Sequence, residues 1–251
     1  EGLTARADAF FVRGRFEEAL DVYRGAVELS PQDSDLPGMM AEMLWILRRY
    51  PEAMEAADRS VALAPDAVWP YLYKTFIHWS WDGDLAASRA ALESLPVESG
   101  EWGRWSWYWQ EILEGRYRAA IDRLEASSEP WIWTKTWARP DVLLEAFAYE
   151  ALGETEQARH CYEAARAARE AEVARQPDDP RLHSSLGIAL AALGRSDEAV
   201  AEGRRATELL PRSKDGFYYL SFAIDLAQIY VMVGDRDRAI DGLEAQYRQG
   251  V

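Results

Sequence analysis

The sequence predicts an all-α fold: a solenoid of about seven helix–turn–helix units spread along its 251 residues. Three observations carry that expectation. A frame of Gly, then Ala five residues on, then a second small or apolar residue recurs along the whole chain. Its prolines keep the same period, with Pro31 and Pro65 34 apart, and Pro177 and Pro211 34 apart. Upstream of each frame lies another apolar pattern of helical spacing, as in ADAFFVR before Gly14 and SSLGIALAAL before Gly194. A repeat of this length is one supersecondary unit that cannot bury its apolar face alone, so the units must stack.

Unit one (1–33) reads GRFEEALDVYRGAVELSP over 14–31, and unit two (34–67) reads RRYPEAMEAADRSVALAP over 48–65. Unit three (68–98) carries GDLAASRAALESLP over 83–96 with a one-residue shift of the frame. Unit four (101–126) joins EWGRWSWYWQ to GRYRAAIDRLEA, and unit five (139–176) runs through GETEQARHCYEAA. Its second helix is expected to extend through 154–176, a stretch of Ala, Glu and Arg that favours helix. Unit six (180–213) reads GRSDEAVAEGRRATELLP over 194–211, and unit seven (220–251) carries GDRDRAIDGLEA over 234–245. ASSEPWIWTKTWARP (126–140) fits no unit and reads as an insertion; PRSKDGFYYL (211–220) reads as an extended connector. The mechanics are local. Gly ends a first helix where a left-handed residue costs least. Ala19, Ala53, Ala120, Ala158, Ala199 and Ala239 let the next helix approach closely, and Pro closes a second helix or opens the next unit.

Leu186-Gly187, Leu190, Gly194, Ala199, Ala206 and Pro211, together with Leu226-Ala227, Tyr230, Gly234 and Ala239, resemble the tetratricopeptide repeat pattern. The resemblance covers nearly the whole chain. It implies a right-handed superhelix whose first helices line the concave side, and a module that binds other proteins. DLAQIYVMVGDRDRAIDGLEAQY (225–247) further resembles the C-terminal repeats of multidomain bacterial signalling proteins, which implies a sensor or scaffold arm.

The tryptophans are concentrated: ten of eleven fall between 69 and 137. At about 100° per residue, Trp102, Trp105, Trp109, Ile112 and Leu113 share roughly a third of the helix circumference, while Trp107 points the opposite way. In the family's geometry the first group faces the groove and Trp107 faces the second helix of its unit. The same frame puts Trp45 and Ile46 of unit two on the wall, with Tyr73, Ile77 and Trp81 of unit three and Leu143, Leu144 and Phe147 of unit five. Plainer residues, Thr4, Asp8 and Phe11 at one end and Ser184, Ser185, Asp225 and Gln228 at the other, hold the outer positions. The candidate site is therefore Trp45, Tyr73, Ile77, Trp81, Trp102, Trp105, Trp109 and Phe147. Two readings compete. The rings fill core between units or beneath the insertion, or they form an open apolar groove that seats a peptide or partner segment.

Composition narrows the partner. The formal net charge is −15 and the pI near 4.7, which excludes a Lys/Arg surface for nucleic acid and disfavours an anionic membrane. No apolar run approaches the ~20 residues of a membrane span. One cysteine, Cys161, precludes an internal disulfide. EGLTARADAF lacks the order of a secretory signal and an initiator Met, so a longer parent protein is expected, and the compartment stays open. Some members of the family clamp a C-terminal carboxylate with Lys, Arg and Asn. The corresponding positions here hold Asp8, Glu42, Ile77 and Trp109, which implies an apolar ligand with basic flanks. His78, His160 and His183 have no metal-ligand spacing, no phosphate loop or nucleophile elbow occurs, and neither cofactor nor catalysis is expected. The expected function is a non-catalytic protein–protein interaction module. The alternatives are self-association through the tryptophan belt, and a small-molecule sensor or enzyme in an aromatic pocket.

Overall fold

The computed structural model describes residues 2–96, 99–127, 131–134 and 138–248. Fourteen helices and a two-stranded ribbon account for its regular elements. They divide into two compact units, residues 1–116 and 117–251.

In the first unit the helices are α1 (Gly2–Phe11), α2 (Phe16–Leu29), α3 (Asp35–Ile46), α4 (Tyr50–Leu63), α5 (Val68–Trp81), α6 (Leu85–Glu93) and α7 (Gly100–Leu113). Each helix packs on its chain neighbour, and the first helices also meet one another, α3 on α5 and α5 on α7. The small residues sit where the helices are closest: Ala19, Ala53 and Ala57 have no exposed surface. Gly14 ends the first pair's opening helix at φ 71°, a left-handed turn that suits glycine. Arg48 holds the equivalent place after α3 at φ 58°. A side chain there costs roughly 1–2 kcal/mol that glycine avoids.

The second unit holds α8 (Tyr117–Glu125), β1 (Trp131–Trp133), β2 (Ala138–Pro140), α9 (Asp141–Ala151), α10 (Thr155–Arg175), α11 (Pro180–Ala192), α12 (Ser196–Leu209), α13 (Gly216–Met232) and α14 (Arg236–Arg248). Its core gathers Leu143, Ala146, Ala158, Tyr162, Leu186, Ile188, Leu190, Ala199 and Ile229. The second helix of the fifth pair, α10, is extended to 21 residues. The segment read as an extended connector is shorter than expected, because α13 already starts at Gly216. The Asp215 carboxylate caps it, accepting from the Phe217 and Tyr218 amides at 3.0 and 2.8 Å.

The 126–140 segment is not a repeat unit. Where described, it is an antiparallel ribbon that pairs Trp131 with Pro140, Ile132 with Arg139 and Trp133 with Ala138; residues 128–130 and 135–137 lie outside the described residues. β2 packs on α9 and α11.

Candidate functional site

The first unit carries a continuous aromatic network across its first helices. Trp45 of α3 lies 5.5 Å from Phe76 of α5, centroid to centroid, and Phe76 lies 5.6 Å from Trp79 and 6.0 Å from Trp105 of α7. Along α7, Trp105 reaches Trp102 at 5.7 Å and Trp109 at 6.1 Å. Trp102 closes the network on α5 through Trp69 at 5.5 Å. Most of the contacts are tilted or edge-on, the arrangements that ring quadrupoles favour. The helical spacing of 102, 105 and 109 puts the three rings on one face, as their positions in the sequence require.

The eight expected site residues do not share one fate. Trp45, Trp102, Trp105 and Trp109 are half-buried and joined by the network. Tyr73 and Ile77 are buried, so they back the wall instead of lining it. The physical reason is that α5 packs on α3, α4, α6 and α7 at once, which leaves a narrower free stripe than a third of its circumference. Trp81 is 48% exposed but stands at the end of α5 against Tyr50 of α4, 6.2 Å between centroids. Phe147 belongs to the second unit, where it packs edge-on against Tyr162 at 6.1 Å. A residue missing from the expected set is Trp69, 44% exposed at the N-terminal end of α5, stacked on Tyr73 and tilted against Trp102. Its signal was its place four residues before Tyr73, on the same helix face. Trp107, expected to face the second helix of its own unit, carries the Arg89 guanidinium of α6 at 5.3 Å from its ring.

A buried polar network anchors the aromatic wall from behind. Trp79 Nε1 donates to Gln110 Oε1 at 2.9 Å, and Ser88 Oγ donates to the same oxygen at 2.8 Å. Gln110 Nε2 in turn donates to the Leu85 carbonyl at 2.9 Å and to Glu114 Oε1 at 2.6 Å. Arg89 donates to both oxygens of Glu114, at 2.8 and 2.6 Å, and to the buried Glu111 at 3.1 Å. The Arg89 guanidinium holds the Glu114 carboxyl down at about 2, against a smaller upward push from burial. Gln110 is fully buried with its amide satisfied on both sides, so α6 and α7 are locked in register beneath Trp79 and Trp105. On the wall itself, Trp45 Nε1 donates to Ser80 Oγ at 3.1 Å.

The wall positions of α11 and α13 are polar. Ser184, Ser185 and Asp225 are buried, and their partners include the β-ribbon and one another. Elsewhere in that unit, burial pushes the Cys161 thiol up to about 11, with Glu145 beside it adding to the shift, and its neighbour His160 is exposed. A thiol so protonated at neutral pH is a poor nucleophile. Among the described residues no cluster of His, Cys, Asp and Glu could hold a metal ion, and no helix is long and apolar enough to cross a membrane.

Paired helices whose first helices pack on one another, as α3, α5 and α7 do, define a helical-repeat module. A tetratricopeptide repeat family model matches residues 4–68 and 143–214, more than half of the chain. The chain belongs to the tetratricopeptide repeat family, and it is a protein–protein interaction module. Among curated proteins it is similar to the Hsp70-Hsp90 organizing protein of Triticum aestivum, 34% identical over 89 residues, 36% of this chain and 15% of that protein. It is also similar to DnaJ homolog subfamily C member 7 of Mus musculus, 26% identical over 98 residues, 39% of this chain and 20% of that one. The matches thus span a fifth or less of the length of these relatives. Among solved structures, the APC/C hetero-tetramer Cut9-Hcn1 matches with a TM-score of 0.57 at 17% identity, covering 99% of this chain and 46% of that one. A tetratricopeptide repeat protein from Parabacteroides merdae matches with a TM-score of 0.55 at 13% identity, covering 100% and 93%. These structural likenesses establish the solenoid fold.

Proposed function

We propose that the aromatic face of α3, α5 and α7 seats an apolar segment of a partner protein whose flanks are basic. The observation that carries this reading is the ring network itself. It runs unbroken over three first helices, and Trp69 at its edge keeps 44% of its surface in water. A Trp exposes roughly 250 Å² when free. The open part of Trp69 is therefore about 110 Å², and covering it contributes up to about 2.7 kcal/mol at about 25 cal/mol per Å². Basic flanks follow from charge. Residues 1–116 hold 20 Asp and Glu against 11 Lys and Arg, a net of −9. The positions that correspond to a carboxylate clamp, Asp8, Glu42, the buried Ile77 and Trp109, offer no row of cations for an acidic peptide end, which separates this reading from carboxylate capture. Placement of the chain in a larger bacterial signalling or scaffold protein is part of the same proposal, supported by the resemblance of residues 225–247.

The test is selection from a random twelve-residue peptide library displayed on phage, against the wild-type chain and then against Trp69→Ala and Trp102→Ala. The expected winners have an aromatic or aliphatic centre between Lys or Arg residues. They lose up to about 100-fold in affinity for Trp69→Ala, the factor that 2.7 kcal/mol corresponds to. Enrichment of acidic peptides, or equal binding by the wild type and both variants, refutes the reading.

A further inference from the structure

We infer that the first-helix face of the second unit is a binding surface for an extended segment bearing an arginine, and that the chain's own ribbon occupies it. The contacts divide into two kinds. Some grip the ribbon's backbone irrespective of its side chains: Ser185 Oγ of α11 donates to the Ala138 carbonyl at 2.8 Å, and Arg169 Nη1 of α10 donates to the same oxygen at 3.3 Å. Arg181 Nη1 at the start of α11 donates to the Thr134 carbonyl at 2.9 Å. Others select one side chain. Arg139 Nη2 donates to Asp225 Oδ1 of α13 at 2.7 Å, and the second oxygen of that carboxylate accepts from Ser184 Oγ at 2.5 Å.

All of these groups except Arg181 are buried. Ala138, immediately before the arginine, has no exposed surface, so the residue at that place must be small. Donors aimed at backbone carbonyls, next to an acidic pocket for one cation, make up the chemistry by which a protein reads an extended peptide. Here that peptide is covalently attached. A partner segment of the pattern small residue–Arg–Pro meets the same donors and the same carboxylate, and gains access only when Ala138 and Arg139 leave them. This surface is separate from the aromatic face, and neither proposal depends on the other.

The probe is the synthetic peptide of residues 134–141, labelled with fluorescein, beside a counterpart with Ala in place of its arginine. Binding by anisotropy is compared for the full wild-type chain and for Arg139→Ala, with folding checked by circular dichroism. Arg139→Ala is expected to bind the arginine peptide at least tenfold more tightly than the wild type does, and at least tenfold more tightly than it binds the alanine peptide. Asp225→Asn added to Arg139→Ala should abolish that preference. If Arg139→Ala does not fold, Arg139→Gln, which keeps the length of the side chain but removes the cation from Asp225, replaces it with the same expectation. Equal binding of the two peptides by the folded variant, or no binding by either variant, overturns the inference.

Discussion

Replacing Gly187 by alanine tests how closely α11, α12 and α13 are packed. A Cβ at Gly187 would lie 2.7 Å from Ile229 Cδ1, 3.0 Å from the Ala199 carbonyl oxygen and 3.2 Å from the Gly203 amide nitrogen. Carbon atoms normally rest about 3.5–4 Å apart. The last two neighbours are backbone of α12 and cannot rotate away, and Ile229 is fully buried. Helix α11 must therefore move off α12 by a few tenths of an ångström. Overpacking of this kind costs about 1–3 kcal/mol, while the higher helix propensity of alanine returns about 1. The expected net loss is up to about 2 kcal/mol. Gly203 is the control. A Cβ there meets Ile229 Cδ1 at 2.8 Å and Leu226 Cδ1 at 2.9 Å, both ends of side chains, with the nearest backbone atom at 3.8 Å. Leu226 is only partly buried and can turn, so Gly203→Ala should change stability by less than about 1 kcal/mol. Because the chain forms two compact units, a global melt mixes their transitions. Amide exchange of α11 and α12 in native conditions isolates the right one. If Gly187→Ala protects those amides as well as the wild type, or better than Gly203→Ala does, the close-packing argument fails. The loss would also reach the ribbon, since Ser184 and Ser185 lie on the same helix within a turn of Gly187.

Stability of the second unit should fall as pH rises through the neutral range. Burial alone would lower the pKa of His183, but Nδ1 faces Glu202 Oε2 at 2.5 Å and Nε2 faces the Pro177 carbonyl at 2.8 Å, and the net shift is upward. Both contacts favour the imidazolium, so its stabilisation is complete below the unfolded value of about 6.5 and is lost as pH rises through the higher folded value. The urea midpoint of the wild type minus that of His183→Gln should shrink between pH 5.5 and 8.5; a difference that stays constant or grows contradicts the charge assignment. In the first unit, Gln110→Leu should cost about 2–3 kcal/mol, chiefly because Trp79 Nε1 loses its acceptor inside the protein. Tryptophan fluorescence during urea unfolding reads this directly, and an unchanged midpoint would show that the network behind the wall carries no weight.

The paired helices were legible because their signals are local. A glycine at the turn, an alanine five residues later and a proline at the exit each act within one unit. The angular arithmetic that aligned Trp102, Trp105 and Trp109 is equally local, and the three rings do touch in sequence. What failed depended on distant partners. Ile77 has the same helical phase as a groove residue, yet its burial is decided by α3 and α7, whose approach no feature of 68–81 reveals. Trp81 turned to Tyr50 for the same reason. The role of 126–140 was out of reach altogether, since Arg139 finds its carboxylate 86 positions further along the chain. The start of α13 is a different case: Asp215 before Gly216 is an ordinary N-cap signal, and the aromatic run behind it masked the helical period.

α11 and α13 carry polar groups at the positions where α3, α5 and α7 carry aromatic rings. Ser184, Ser185 and Asp225 are polar groups at buried positions, and a buried carboxylate without a partner costs several kcal/mol. Arg139 and the Ala138 carbonyl supply those partners, so the ribbon is held in place by the same groups that would otherwise receive a ligand. An indole face has one polar atom per ring to satisfy, and Trp109 Nε1 is buried without an acceptor among the described residues. Trp79 and Trp45 satisfy their N–H groups within the wall, on Gln110 and Ser80, and the remaining ring surface can stand in water at a cost that only grows with area. The polar face is therefore stable only when filled, and the aromatic face is stable while empty but gains by being covered. On the two proposals above, a partner of the first unit displaces nothing, whereas a partner of the second unit has to compete with the Ala138 and Arg139 contacts.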